Sequence, residues 1–190
     1  MKIGIDISQL AYPQTGVANY LEHFVQALLR LDTQNEYVLF YSSLRQRIKN
    51  QELRIKGRKN VTIKKFRFPP TLLDFLWNRM HIVPIEWLIG DVDVFITSDW
   101  TEPPTLRAKK ATILYDLIVY KYPEETHNKT NFNLMKFLIS PNIVSSQKRK
   151  LHWVKKESDV VFCISESTKK DAIKILGIDE KRLKVAYPGL

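Results

Sequence analysis

The side chains best placed to do chemistry in this sequence are carboxylates and hydroxyls at the ends of apolar runs. Asp116 closes "ATILYD", Asp99 follows "VDVFITS" (92–98), and Ser165 ends "DVVFCIS" (159–165). A carboxylate at the end of a hydrophobic strand is costly to bury unless paired. It therefore either handles a ligand or pins its own loop by accepting backbone N–H groups. Both readings stay open for Asp116, Asp99 and Glu102. A different chemistry is offered by Thr15 and Gly16, where a polar loop meets a helical pattern. A glycine there lets a ligand approach the backbone, and unpaired N–H groups with the helix dipole attract an anion. The same glycine also suits a simple turn. Ser165 is placed to cap the helix "ESTKKDAIKIL", which stops at Gly177.

Several chemistries lose support. No G-x-G-x-x-G follows the first strand and no G-x-x-x-x-G-K-[ST] occurs, which argues against a dinucleotide dehydrogenase and a P-loop NTPase. His23, His81, His127 and His152 are scattered without metal-ligand spacing, so no metal site is expected. A G-x-S-x-G nucleophile elbow is absent. The one cysteine, Cys163, lies within an apolar run and reads as a small buried hydrophobe. Without a second cysteine there is no internal disulfide, which fits a reducing compartment.

The elements that position these residues alternate. Strands are expected at 2–7, 37–41, 61–67, 92–98, 111–117, 159–165 and 182–187, with 61–67 near the sheet edge. From Gly16, the residues Val17, Tyr20, Leu21, Phe24, Leu28 and Leu31 recur at helical spacing. After Pro69 and Pro70, an amphipathic stretch puts Leu72, Leu73, Leu76 and Met80 on one side, and Pro84 breaks it. A long helical region runs from about Asn131 to Lys156, interrupted at Pro141. Strands alternating with helices predict an α/β fold: a Rossmann-like, doubly wound, mainly parallel sheet with helices on both faces. Ligands of such sheets bind at the carboxyl ends of the strands, near the point where strand order reverses. That rule selects the loops 8–16, 98–104, 115–123 and 165–168.

The chain has 190 residues, 44% of them hydrophobic and 26% charged, as expected for one globular domain. Its net charge of +10 is concentrated between Arg45 and Arg67, where ten Lys or Arg face one Glu. Such a face attracts anionic partners, or is a solvated face with an edge strand kept soluble by lysine. Beside it stand Phe66, Phe68, Phe75, Trp77 and Trp87, though the spacing of most would bury them. Weak, salt-sensitive contact with an anionic membrane is the expectation. No signal peptide is visible, and the most apolar stretch, 71–90, carries too many polar residues to span a bilayer. A cytoplasmic protein is expected, at most peripheral to the inner face of the plasma membrane.

The stretches "KIGIDIS…TGVANYLEHFVQALL", "ATILYDLIVYKYPEE", "SDVVFCISESTKKDAIKILGI" and "KRLKVAYPG", in this order, resemble the N-terminal half of the family 4 (group 1) glycosyltransferases of GT-B architecture. The resemblance runs from residue 1 to 190 and implies a single GT-B N-terminal domain. Thr15 and Gly16 match the loop that faces the donor phosphates and the acceptor, although Ala18 and Asn19 replace its usual second glycine and arginine. Asp116 matches the strand-end aspartate, and Tyr115 stands where many members have a histidine near the transferred sugar. A phenol can donate a hydrogen bond there but is a poor base, with an ordinary pKa of ~10. The resemblance thus implies Tyr115 and Asp116 as catalytic residues, and Thr15, Gly16, Asp99 and Ser165 as substrate-binding residues.

The implied reaction is retaining transfer from a nucleotide sugar, without an obligatory metal or other cofactor, to a glycan or lipid-linked acceptor. In this family the nucleotide sugar sits mainly on a second, C-terminal domain, which 1–190 does not include. The chain alone is therefore expected to be inactive and to pair with such a domain, or with itself as a homodimer. The alternative is a non-catalytic module of the same fold that binds a membrane or a partner. A nucleic-acid-binding role has only charge in its favour, and no specific nucleic acid partner is expected.

Overall fold

The computed structural model describes residues 1–44, 58–98, 100–122 and 143–188. Seven strands form one parallel sheet: β1 Lys2–Asp6, β2 Glu36–Ser42, β3 Val61–Phe66, β4 Val94–Thr97, β5 Lys109–Leu114, β6 Val160–Cys163 and β7 Leu183–Val185. Their order is β3-β2-β1-β4-β5-β6-β7, with every neighbouring pair parallel. The chain winds outward from β1 to the β3 edge, then returns to the other side of β1 and winds outward to β7. The order therefore reverses between β1 and β4, and this is the Rossmann-like, doubly wound arrangement expected from the alternation. Strand β3 lies at the edge, as its lysines suggest.

Strand alternation sends odd and even positions to opposite faces. Helix α1 (Gly16–Leu31) covers the face built by Ile3, Ile5, Tyr37, Leu39, Ala111 and Ile113. The opposite face carries α2 (Pro70–Leu73, continuing as the π-helical turn Asp74–Arg79) and α3 (Glu86–Ile89) over β2 and β4. It also carries α4 (Ile118–Lys121), α5 (Ile143–Glu157) and α6 (Glu166–Asp171, continuing as Ala172–Leu176) over β5, β6 and β7. Gly4 is required where α3 meets the sheet, because a Cβ there would lie 2.7 Å from the Phe95 ring.

Two helical faces differ from the expected ones. In α1 the buried line is Ala18, Tyr20, Leu21, Val25 and Leu29, with Val17, Phe24 and Leu28 half-buried and Leu31 80% exposed. In the 70–79 segment the wider π turn swings Leu73, Asp74, Trp77 and Asn78 inward and leaves Leu72 and Met80 exposed. Trp77 is buried with its Nε1 donating to the Val83 carbonyl at 2.9 Å. Strand β5 ends at Leu114, earlier than the run of apolar residues suggested. Pro141 and the basic stretch 45–57 lie outside the described residues.

Between the apolar clusters of the second face runs a polar seam. Glu102, fully buried, pairs with Lys110 at 3.2 Å and accepts from the Thr97 and Thr112 hydroxyls. Lys110 also reaches Glu157, which meets His81 Nε2 at 2.9 Å. Asn78 accepts from the Glu102 backbone N–H, while its amide donates to Asp74. The seam fastens the 70–79 segment and α5 to the sheet, and it settles Glu102 as an interior structural acceptor.

Candidate functional site

At the carboxyl end of β1 the chain turns through one 3-10 turn, Ser8–Ala11, before α1 begins. Asp6, the last residue of β1, is buried and accepts from the Ser8 backbone N–H at 2.9 Å. Burial pushes its carboxyl above the ordinary value, against the pull of the Ser8 hydrogen bonds and the Lys150 ammonium. Ser8 Oγ accepts from the Ser42 N–H, and Ser42 Oγ accepts from the Phe68 N–H. This latch ties the ends of β1 and β2 to the segment leading into α2. Above it opens a cleft of about 120 Å³ lined by Asp6, Gln9, Tyr12, Phe68, Leu73 and Trp100. A buried acceptor beneath aromatic walls suits a ligand that pairs hydroxyl groups with an apolar ring face.

A second cleft of about 260 Å³ lies across Trp100, which lines both. Val17 from the first turn of α1, Tyr115, Asp116 and Lys150 border it. Tyr115 is buried, its hydroxyl 3.0 Å from Ser98 Oγ. Thr168 Oγ1, at the start of α6, donates to the Tyr115 carbonyl at 3.1 Å. Lys150 projects from α5 beneath the strand ends, is 2% exposed and donates to the Ser98 carbonyl. The buried Lys150 ammonium, whose charge also acts on Asp6, and the exposed Asp116 carboxylate put both signs of charge at this cleft.

Of the remaining residues singled out in the sequence, Thr15, Gly16, Asp116 and Ser165 are found at the same edge of the sheet. Thr15 caps α1, its Oγ1 accepting from the Ala18 N–H at 3.2 Å and donating to the Tyr12 carbonyl. Gly16 opens α1 with no positive φ, and a Cβ added to it would meet nothing within 4 Å. Packing therefore does not require glycine at this position. Asp116 is exposed and its Oδ1 accepts from the Ile118 N–H, a loop-pinning contact. Ser165 caps α6 through the Thr168 N–H. Asp99 lies outside the described residues. Asp6, Lys150 and Trp100 are additional. Asp6 carries the same signal as Asp116, an ionisable residue closing an apolar strand, whereas Lys150 sits among other cations of a basic helix and has no distinguishing pattern.

Among the described residues no cluster of His, Cys, Asp or Glu could hold a metal ion, and no helix is long and apolar enough to cross a membrane. No family model matches the sequence, and no curated protein matches it. Among solved structures, the chain is similar to UGT2 of Phytolacca americana, solved with UDP-2fluoro-glucose and pterostilbene. The two share 12% identity at a TM-score of 0.48, over 100% of this chain and 52% of that one. The chain thus spans about half the length of that structure.

Proposed function

We propose that residues 1–190 form the acceptor-side domain of a retaining, nucleotide-sugar-dependent glycosyltransferase of GT-B type, akin to family 4. The observation that carries this reading is a convergence. The segments resembling that family, Thr15–Gly16, Tyr115–Asp116 and Ser165, are far apart in sequence yet meet at the carboxyl edge of the sheet. There Tyr115 and Asp116 line one cleft, which Val17, next to Gly16, also borders, and that cleft shares Trp100 with the Asp6 cleft. In this reading the Asp6 cleft receives the hydroxyl-bearing acceptor, and the Lys150 side faces the donor phosphates. A second domain supplies most of the nucleotide-sugar contacts. Catalysis rests on stabilising the departing diphosphate between the two domains, with Tyr115 and Asp116 at the passage of the transferred sugar. Calorimetric titration tests the division of labour. Residues 1–190 should take up glycosides but not UDP- or GDP-sugars, and should not transfer sugar unaided. Micromolar binding of a nucleotide sugar, or turnover by these residues alone, would overturn it.

A further inference from the structure

The surface between residues 58 and 90 has a composition that the interior contacts explain. Its only two carboxylates, Asp74 and Glu86, are both buried. Asp74 is held by Asn78, Ser146, Arg79 and Arg149. Glu86 Oε1 accepts from the backbone N–H groups of Leu106, Arg107 and Ala108. Every exposed charge in this stretch is therefore positive: Lys59, Lys64, Lys65, Arg67 and Arg79.

The same stretch exposes large apolar side chains. Leu72 (39%), Phe75 (48%) and Met80 (54%) stand on the outer side of the 70–80 helical segment, followed by Ile82 (46%) and Trp87 (69%). The π turn that buries Trp77 leaves Phe75 outside, between Leu72 and Met80. Phe66 packs on Phe40, and Phe40 on Trp77, which seats this segment over β2 and the edge strand β3. Strand β3 adds Lys64, whose register with Phe40 puts it on this same face, whereas Lys65, in register with Tyr41, lies on the α1 face. Lys64 and outward-facing aromatic and aliphatic groups thus share the second face of the sheet near its β3 edge, with no exposed carboxylate from residue 58 to 90 and the exposed Asp91 just beyond.

We propose that this flank, formed by β3 and the 70–87 segment, docks on an anionic lipid surface. Lysine and arginine side chains bring the protein to anionic headgroups, and the apolar groups enter the interface. Exposed charge that is all positive, beside protruding apolar groups, matches an anionic bilayer, which joins negative headgroups to an apolar interior. The segment that presents Leu72 and Phe75 outward also places Phe68 and Leu73 in the wall of the Asp6 cleft, so docking would bring that cleft close to the lipid. The docking inference stands on the surface alone and does not depend on the proposed sugar transfer.

Flotation with vesicles of phosphatidylcholine alone, or of equimolar phosphatidylcholine and phosphatidylglycerol, tests it. The wild-type chain should float with the anionic vesicles only. Raising the ionic strength from about 0.01 M to about 0.5 M should release it, since the screening length then falls to a few ångströms. The double variant Phe75→Ser/Met80→Ser removes side chains that are about half exposed (48% and 54%) and should weaken binding by about tenfold or more, with the thermal midpoint measured alongside to confirm that the fold is kept. Lys64→Gln/Arg67→Gln should weaken it as well. Leu31→Ser, at the end of α1 on the opposite face, should leave it unchanged. Failure of the wild type to float, equal binding to neutral vesicles, or binding undiminished by either double variant would overturn the inference.

Discussion

Asp6 shows how the fold can spend stability on a site. Its carboxyl is raised by burial, so folding favours its protonated form. Its contribution to stability is therefore fullest below the ordinary value of 3.8 and declines as pH rises through the raised value. Asp6→Asn keeps an oxygen for the Ser8 N–H and removes the buried charge. At pH 7 it should raise unfolding stability by about 1 kcal/mol, read from urea unfolding, while weakening glycoside binding. A marked loss of stability would show that the charge is held by its neighbours for structural reasons. Cys163 is the contrasting case. Burial pushes its thiol up to about 11, and it should resist alkylation at pH 8 until the protein unfolds.

At the scale of elements, the start of α1 separates structural from functional roles. Thr15→Ala removes the cap that accepts the Ala18 N–H and should cost about 1 kcal/mol in stability. Gly16→Ala should change stability by less than about 0.5 kcal/mol, because the added methyl meets open space. If Gly16 serves ligand approach, the same variant should still weaken glycoside binding. Unchanged binding would leave it only a helix-opening residue.

Most of these elements were legible in the sequence. Strand–helix alternation gave the parallel sheet, the lysines of 61–67 marked an edge strand, and Ser165 and Gly177 marked the two ends of α6. The buried faces of α1 and the 70–79 segment were less legible. Small residues such as Ala18 carry little periodic signal, and a π turn breaks the 3.6-residue period on which that signal depends. The site was legible where a polar residue closes an apolar run, as at Asp116. Lys150 was hidden because burial of one cation in a basic helix is decided by tertiary packing against Ser98.

The whole molecule combines two opposed responses to acid. For Asp74, burial acts upward but is outweighed by hydrogen bonds from Ser146 and Asn78 and by the Arg149 and Arg79 charges, so its carboxyl lies below 3.8. For Glu157, burial also acts upward and is outweighed by Lys110 and His81, which hold it below 4.5. Stability from both is complete above those ordinary values and is lost as pH falls through the depressed ones. They join the 70–79 segment and α5 to the sheet. Acid should therefore loosen this polar seam first, despite the opposite contribution of Asp6. Thermal unfolding followed from pH 7 to pH 3 should show a falling midpoint. Lys110→Met, which leaves Glu102 buried without its cation, should cost about 3–5 kcal/mol at neutral pH.

The Asp6 cleft, bordered by Trp100, is the one proposed to hold the hydroxyl-bearing acceptor. Amide NMR spectra of the labelled chain, recorded while methyl glycosides of the common hexoses are added into the millimolar range, test this most directly. Saturable shifts are expected at Ser8, Gln9 and Tyr12 and at the Trp100 indole, reduced in Asp6→Asn. Saturable shifts confined to residues away from the carboxyl edge of the sheet, or no shifts with any glycoside, would contradict it.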